Sequence, residues 1–150
     1  MKSNRLFYHA ILAAVLWFAA YSAAFASPPP SSFSVELAAG DEVIEAWVVF
    51  SREEQEQGLS GVLWLRENEG MIFVLPKKSK TRFHMKGVSI SLSIAYLNWR
   101  GKILKIEDMD PKERERIYEA PEGTRYALEM SQGWFRRHSV NVGDRIRRKS

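Results

Sequence analysis

The chain is 150 residues long, carries 22 basic and 18 acidic residues for a formal net charge of +4, and contains no cysteine. That length suits one domain with one core. The missing thiol excludes disulfide staples, thiol catalysis, iron–sulfur clusters and thiolate zinc sites, and the charges are too evenly mixed for the concentrated patch that nucleic acid requires.

Lys2 and Arg5 precede an apolar stretch from about Ala10 to Ala20, and Ala24-Phe25-Ala26 places small residues where a signal peptidase reads. Residues 1–26 are therefore expected to be a signal peptide, with the protein periplasmic or extracellular after cleavage. An uncleaved membrane anchor is the alternative, but His9, Tyr21 and Ser22 dilute a stretch that must supply about 20 apolar residues. No cysteine follows it, so a lipid anchor is excluded. Ser27-Pro28-Pro29-Pro30-Ser31-Ser32 reads as a linker, since proline lacks the amide donor a helix needs. Without Lys2 and Arg5 the 22 basic residues fall to 20 against 18 acidic, so an exported domain is only weakly basic. Lys77-Lys78-Ser79-Lys80 reads as a solvated loop and residues 148–150 as a basic tail, leaving 33–147 as the domain.

Phe33, Val35 and Leu37 alternate with Ser34 and Glu36, the period of a strand, and Gly40-Asp41 turns the chain into a second strand from Val43 to Phe50. Ser51 with Glu54 three residues on is a capping-box signature, predicting a short helix that ends near Gly58. Trp64-Leu65 lies in a loop, and Met71 to Leu75 is an apolar run stopped by Pro76. Ile90, Leu92, Ile94 and Tyr96 then alternate with Ser91, Ser93, Ala95 and Leu97, and Asn98-Trp99-Arg100-Gly101 reads as a hairpin turn returning through Lys102 to Glu107. Asp110-Pro111-Lys112-Glu113 predicts another helical turn. Tyr126, Leu128 and Met130 mark a strand, Ser131 opens a short helix through Trp134 and Phe135, and Val142-Gly143-Asp144 turns into a last strand around Ile146. The expected fold class is α+β, a mainly antiparallel, barrel-like sheet with a few short helices.

Gly58-Leu59, Gly70-Met71-Ile72-Phe73, Phe83 with Met85-Lys86, Ile90 with Leu92, Tyr126 to Met130 and Val142-Gly143-Asp144 occur in an order and spacing that resembles the DUF192 (UPF0127) proteins. The resemblance implies a compact β-rich domain, often exported, in a family without an established general activity. Departures stand out. Where the family pattern reads Gly-Leu-Met-x-Arg, this chain has Gly58-Leu59-Ser60-Gly61-Val62. Phe-Trp-Met-Lys-Asn-Thr becomes Phe83-His84-Met85-Lys86-Gly87-Val88, Ile-Pro-Leu-Asp becomes Ile90-Ser91-Leu92-Ser93, and the cysteine-bearing loop becomes Lys112-Glu113-Arg114-Glu115-Arg116.

The candidate binding residues are Lys86, His84, Ser91, Ser93, Glu129 and Asp144. Lys86 beside Gly87 offers a point charge where backbone can approach a ligand closely. His84 offers a residue type that can serve as a base or a ligand, but His138 is the only other histidine after the leader and no ligand spacing joins the two. Ser91 and Ser93 lack a Gly-x-Ser-x-Gly elbow. Glu129 and Asp144 also read as a strand carboxylate pairing with an arginine and a turn residue. The expectation is a non-catalytic envelope protein that binds a small ligand, a glycan or a partner protein, with no cofactor, no metal, no nucleic acid, and membrane contact only through an uncleaved leader. The rivals are a hydrolase built around His84 and Ser93 and an interaction protein whose family site has decayed.

Overall fold

The computed structural model describes residues 33–76 and 81–149; the leader, the proline linker and the basic run at 77–80 lie outside the described residues. β1 (Ser34–Ala39) turns through Gly40 and Asp41 into β2 (Glu42–Val49) as an antiparallel hairpin. Glu54 N then donates to Ser51 Oγ at 3.1 Å while Ser51 N donates to Glu54 Oε2 at 3.0 Å. This reciprocal box satisfies two orphan amides and starts α1 (Arg52–Gln57), which stops at Gly58. β3 (Glu69–Val74), β4 (Arg82–Phe83), β5 (Leu92–Leu97), β6 (Ile103–Met109), β7 (Tyr118–Glu119), β8 (Tyr126–Ser131), α2 (Trp134–Arg137) and β9 (Ile146–Arg148) follow.

Seven strands form one sheet in the order β6-β5-β8-β3-β2-β1-β9, and β4 with β7 makes a separate two-stranded ribbon. β2 and β3 run parallel; the other strand pairs are antiparallel. The sheet curls until its outer strands meet at one end. There Lys102 bridges Arg145, Ile103 N donates to Asp144 O at 2.9 Å and Ile146 N donates to Gly101 O at 2.9 Å. Gly101 has φ +75°, and a Cβ there would collide with the Ile146 carbonyl, so the closure depends on its bare backbone. The fold is the α+β, barrel-like sheet that the sequence predicts.

Both faces of this sheet are covered, so the alternation in β5 sorts its side chains between two cores. Leu92, Ile94 and Tyr96 pack with Phe73, Phe83 and Tyr118 beneath the β4–β7 ribbon. Ala95 and Leu97 pack with Ile44, Leu128 and Trp134 on the opposite face. Trp134 and Phe135 dock α2, as their sequence position suggests.

Two local expectations fail. Asp110-Pro111 begins a pair of turns, with Lys112 N donating to Asp110 Oδ1 at 2.8 Å. No helix forms there, because the charged run Lys112–Arg116 offers no apolar stripe to bury. Ser131 stays in β8 opposite Leu92; the chain enters α2 through Gly133 at φ +77° without a side-chain cap.

Candidate functional site

Three polar or charged residues are buried among the described residues: Glu69, Ser93 and Glu129. Two of them have partners. Glu69 accepts from Arg66 N at 3.1 Å and from Arg66 Nη2 at 3.0 Å. Ser93 donates to Asp108 Oδ1 and accepts from Gly133 N at 2.8 Å. Glu129, only 6% exposed, has neither a side-chain hydrogen bond nor an ion pair among the described residues. Burial alone pushes its carboxyl up to about 8, so at neutral pH it is mostly a protonated acid, able to donate as well as accept.

Register sets where Glu129 points. It lies opposite Met71 of β3 and Ile94 of β5, and both of these face the core beneath the ribbon. There Glu129 forms the buried end of a cavity of about 440 Å³, walled by Leu59, Phe73, Leu75, Phe83 and Val88. The rim is polar. Alternation through β4 and beyond turns Phe83 and Met85 inward while Arg82, His84 and Lys86 stay exposed, and α1 contributes Arg52 and Glu56.

Most rim charges have partners. Arg52 Nε lies 2.9 Å from Glu56 Oε1, and Lys86 Nζ lies 3.1 Å from Glu115 Oε2 across two exposed side chains. Arg82 forms no ion pair among the described residues. His84 Nδ1 accepts from Lys86 N at 3.3 Å. Behind the cavity, the Tyr96 hydroxyl is buried without a hydrogen-bond partner. Burial, with the charges of Glu107 and Glu129, pushes its pKa up.

The structure thus gathers Lys86, His84 and Glu129 at one cavity and places the other three candidates elsewhere. Ser93 points to the opposite face of the sheet, where its hydroxyl ties β5 to Asp108 on β6 and to the turn before α2. Ser91 is exposed just before β5, its carbonyl accepting from Gln132 N at 3.0 Å. Asp144 sits in the closing turn and accepts from Asn141 N at 2.7 Å. The sheet separates Ser93 from His84, so a hydrolase site built on that pair is not assembled. Arg82 is the rim residue the sequence reading does not single out; its shared parity with His84 and Lys86 is the signal that carries it.

The other histidine belongs to a separate cluster. His138 stacks on Trp134 at 4.5 Å between ring centroids, with Nδ1 3.0 Å from Glu42 Oε1 and Nε2 3.0 Å from Glu67 Oε1. Among the described residues no group of three or more histidine or acidic side chains is placed to hold a metal ion, and no helix is long and apolar enough to cross a membrane.

Residues 35–148 match the sequence model of DUF192, a family described as "Uncharacterized ACR". No curated protein matches the chain. Two solved structures share the fold. One is a "putative transcription regulator" from Sinorhizobium meliloti 1021, with TM-score 0.70 and 24% identity, covering 77% of this chain and 92% of that one. The other is a protein of unknown function from Novosphingobium aromaticivorans DSM 12444, with TM-score 0.71 and 24% identity, covering 81% of this chain and 90% of that one. At that identity the likeness is one of fold.

Proposed function

This chain belongs to the DUF192 family, whose description names no activity, and from the chain's own geometry we propose a non-catalytic envelope protein that binds a small ligand in the Glu129 cavity. The unpartnered Glu129 carboxyl carries the reading. Buried polar groups in folded proteins are ordinarily hydrogen-bonded, and one left alone costs stability. Glu69 and Ser93 follow that rule with protein partners, whereas Glu129 has none among the described residues and its carboxyl opens onto a cavity rather than being sealed as the Tyr96 hydroxyl is. A bound ligand would supply the missing partner. The volume, about 440 Å³, lies within the range of small-molecule sites.

His84 is flanked at the rim by Arg82 and Lys86, and the buried serine with a carboxylate partner lies across the sheet. Export rests on the leader: Lys2, Arg5, the apolar stretch and Ala24-Phe25-Ala26. Fusing residues 1–32 to a reporter active only outside the cytoplasm tests that part, and an inactive reporter would remove it.

The binding reading is tested by a thermal-shift screen of the protein against envelope glycans, small anions, short peptides and divalent metals, repeated on Glu129→Leu. A ligand that binds the folded state alone raises the melting temperature by mass action. A shift lost in Glu129→Leu supports the cavity. Shifts that survive that substitution, or none from any class, overturn it and favour an interaction protein with a decayed site.

A further inference from the structure

We infer that the Glu129 cavity takes a small monoanionic organic acid with an apolar body, its carboxylate held at the rim by Arg82 and Lys86 and a second, uncharged oxygen held by Glu129 at the buried end. The inference rests on the binding reading above and gives the ligand its chemical class.

Arg52 is matched by Glu56, while Arg82 has no ion-pair partner among the described residues and Lys86 has only Glu115, whose side chain is 85% exposed. Arg82 and Lys86 therefore set the charge at the entrance, and they attract an anion while repelling a cation. A guanidinium can grip a carboxylate with two parallel hydrogen bonds, and a lysine adds a point charge. The middle of the cavity is apolar: Phe73, Phe83 and Leu75 line it, so the ligand body between its two polar ends must be apolar too.

At the inner end the surroundings decide the form of Glu129. Tyr96 faces it from β5, with Glu107 of β6 and Tyr118 of β7 close to the Tyr96 hydroxyl. Arg82 and His84 line the mouth from β4 and its continuation, and Arg52 does so from α1. None of these reaches the carboxyl as an ion-pair or hydrogen-bond partner. Its charge is uncompensated, and a neutral carboxylic acid results. Such a group donates to a carbonyl, ether or hydroxyl oxygen. The opposite chemistry, a buried ammonium paired with an ionised Glu129, requires a cation to pass Arg82 and Lys86.

The test is a matched series with one body: 3-(4-acetylphenyl)propanoate, whose ketone oxygen lies across the ring from its carboxylate, its primary amide, and the corresponding primary amine. Calorimetric titration at pH 6.5 is expected to show the acid binding at least about tenfold more tightly than the amide, with the amine weakest. Arg82→Ala with Lys86→Ala should abolish the preference for the acid. Raising the pH through about 8 should weaken the acid in the native protein as Glu129 ionises. Glu129→Gln keeps an N–H donor in the same shape, so it should bind the acid with no such pH dependence. Tighter binding of the amine or the amide overturns the ligand class and leaves the cavity reading standing. No binding by any of the three, while the broader screen finds a Glu129-dependent ligand of another kind, also overturns the class alone. Failure of both removes both.

Discussion

Ser60 donates its hydroxyl to the Gly87 carbonyl at 3.2 Å, and a Cβ added at Gly87 would collide with that same hydroxyl. Both residues depart from the family pattern, which has methionine and asparagine at these places, and the two departures meet in space. Together with Gly61 N donating to Gly87 O at 3.3 Å, the contact locks the loop after α1 to the turn that follows Lys86.

Gly87→Ala is expected to destabilise the protein by about 1–2 kcal/mol, because φ is +78° and the new methyl strikes Ser60. Part of that cost should disappear in the Ser60→Ala background, where the hydroxyl is gone; the φ strain remains. Urea unfolding of the four proteins in a double-mutant cycle measures the coupling. Strict additivity would mean that the two residues do not restrain each other.

Glu129 makes stability depend on pH. Its folded pKa, about 8, lies above the ordinary 4.5, so the folded state binds the proton more tightly than the unfolded chain. The stabilisation is complete below about 4.5, declines as pH rises, and is gone above about 8. Glu129→Gln should therefore flatten this part of the profile and be the more stable protein at pH 8.5. The difference between the two unfolding profiles isolates the group, and parallel curves would contradict its burial as a lone acid.

His138 titrates in the same direction for another reason. Hydrogen bonds to Glu67 and Glu42 raise its pKa above the ordinary 6.5. The protonated clasp adds stability below the unfolded pKa and loses it as pH rises through the folded one. An NMR titration of the imidazole should give a midpoint above 6.5 in the native protein and a lower one in Glu67→Gln.

Trp134 is fully buried, and its indole N–H donates to Asn68 Oδ1 at 2.9 Å. Trp134→Ala is expected to cost about 3–5 kcal/mol by opening a cavity beneath α2. Trp134→Phe should cost less but still measurably, since it leaves the Asn68 oxygen without its donor. Thermal unfolding with near-ultraviolet circular dichroism follows both.

Local patterns were the legible part of this fold. Ser51 and Glu54 announce α1 because the capping box lies within four residues, and Gly40 and Gly101 announce their hairpins because the turn demands positive φ. The parallel pairing of β2 with β3 was not legible, since it joins Trp47 to Met71 across α1 and a loop. β4 and β7 are two residues each, too short to show a period. At the site, His84, Lys86 and Glu129 come together by non-local register that no single segment reveals. The pairing of Ser93 with Asp108, which places Ser93 in a cross-strand bond away from the cavity, was not legible either: the register shifts between Tyr96 and Leu97, so counting outward from the Asn98–Gly101 turn stops at Ile106.

The seam between Gly101 and Ile146 has a bearing on biosynthesis. β1 finds β2 as soon as both have emerged, but its other edge, from Leu37 to Ala39, waits for β9. The hairpin end at Gly101 waits for the same segment. A chain emerging N-terminus first therefore presents two unpaired edges until residues 143–149 follow. Open edges of this kind recruit foreign strands. Translation halted before Gly143 would release a polypeptide with nearly all its core residues and a standing invitation to aggregate. The final segment acts as the latch that seals both edges of the sheet.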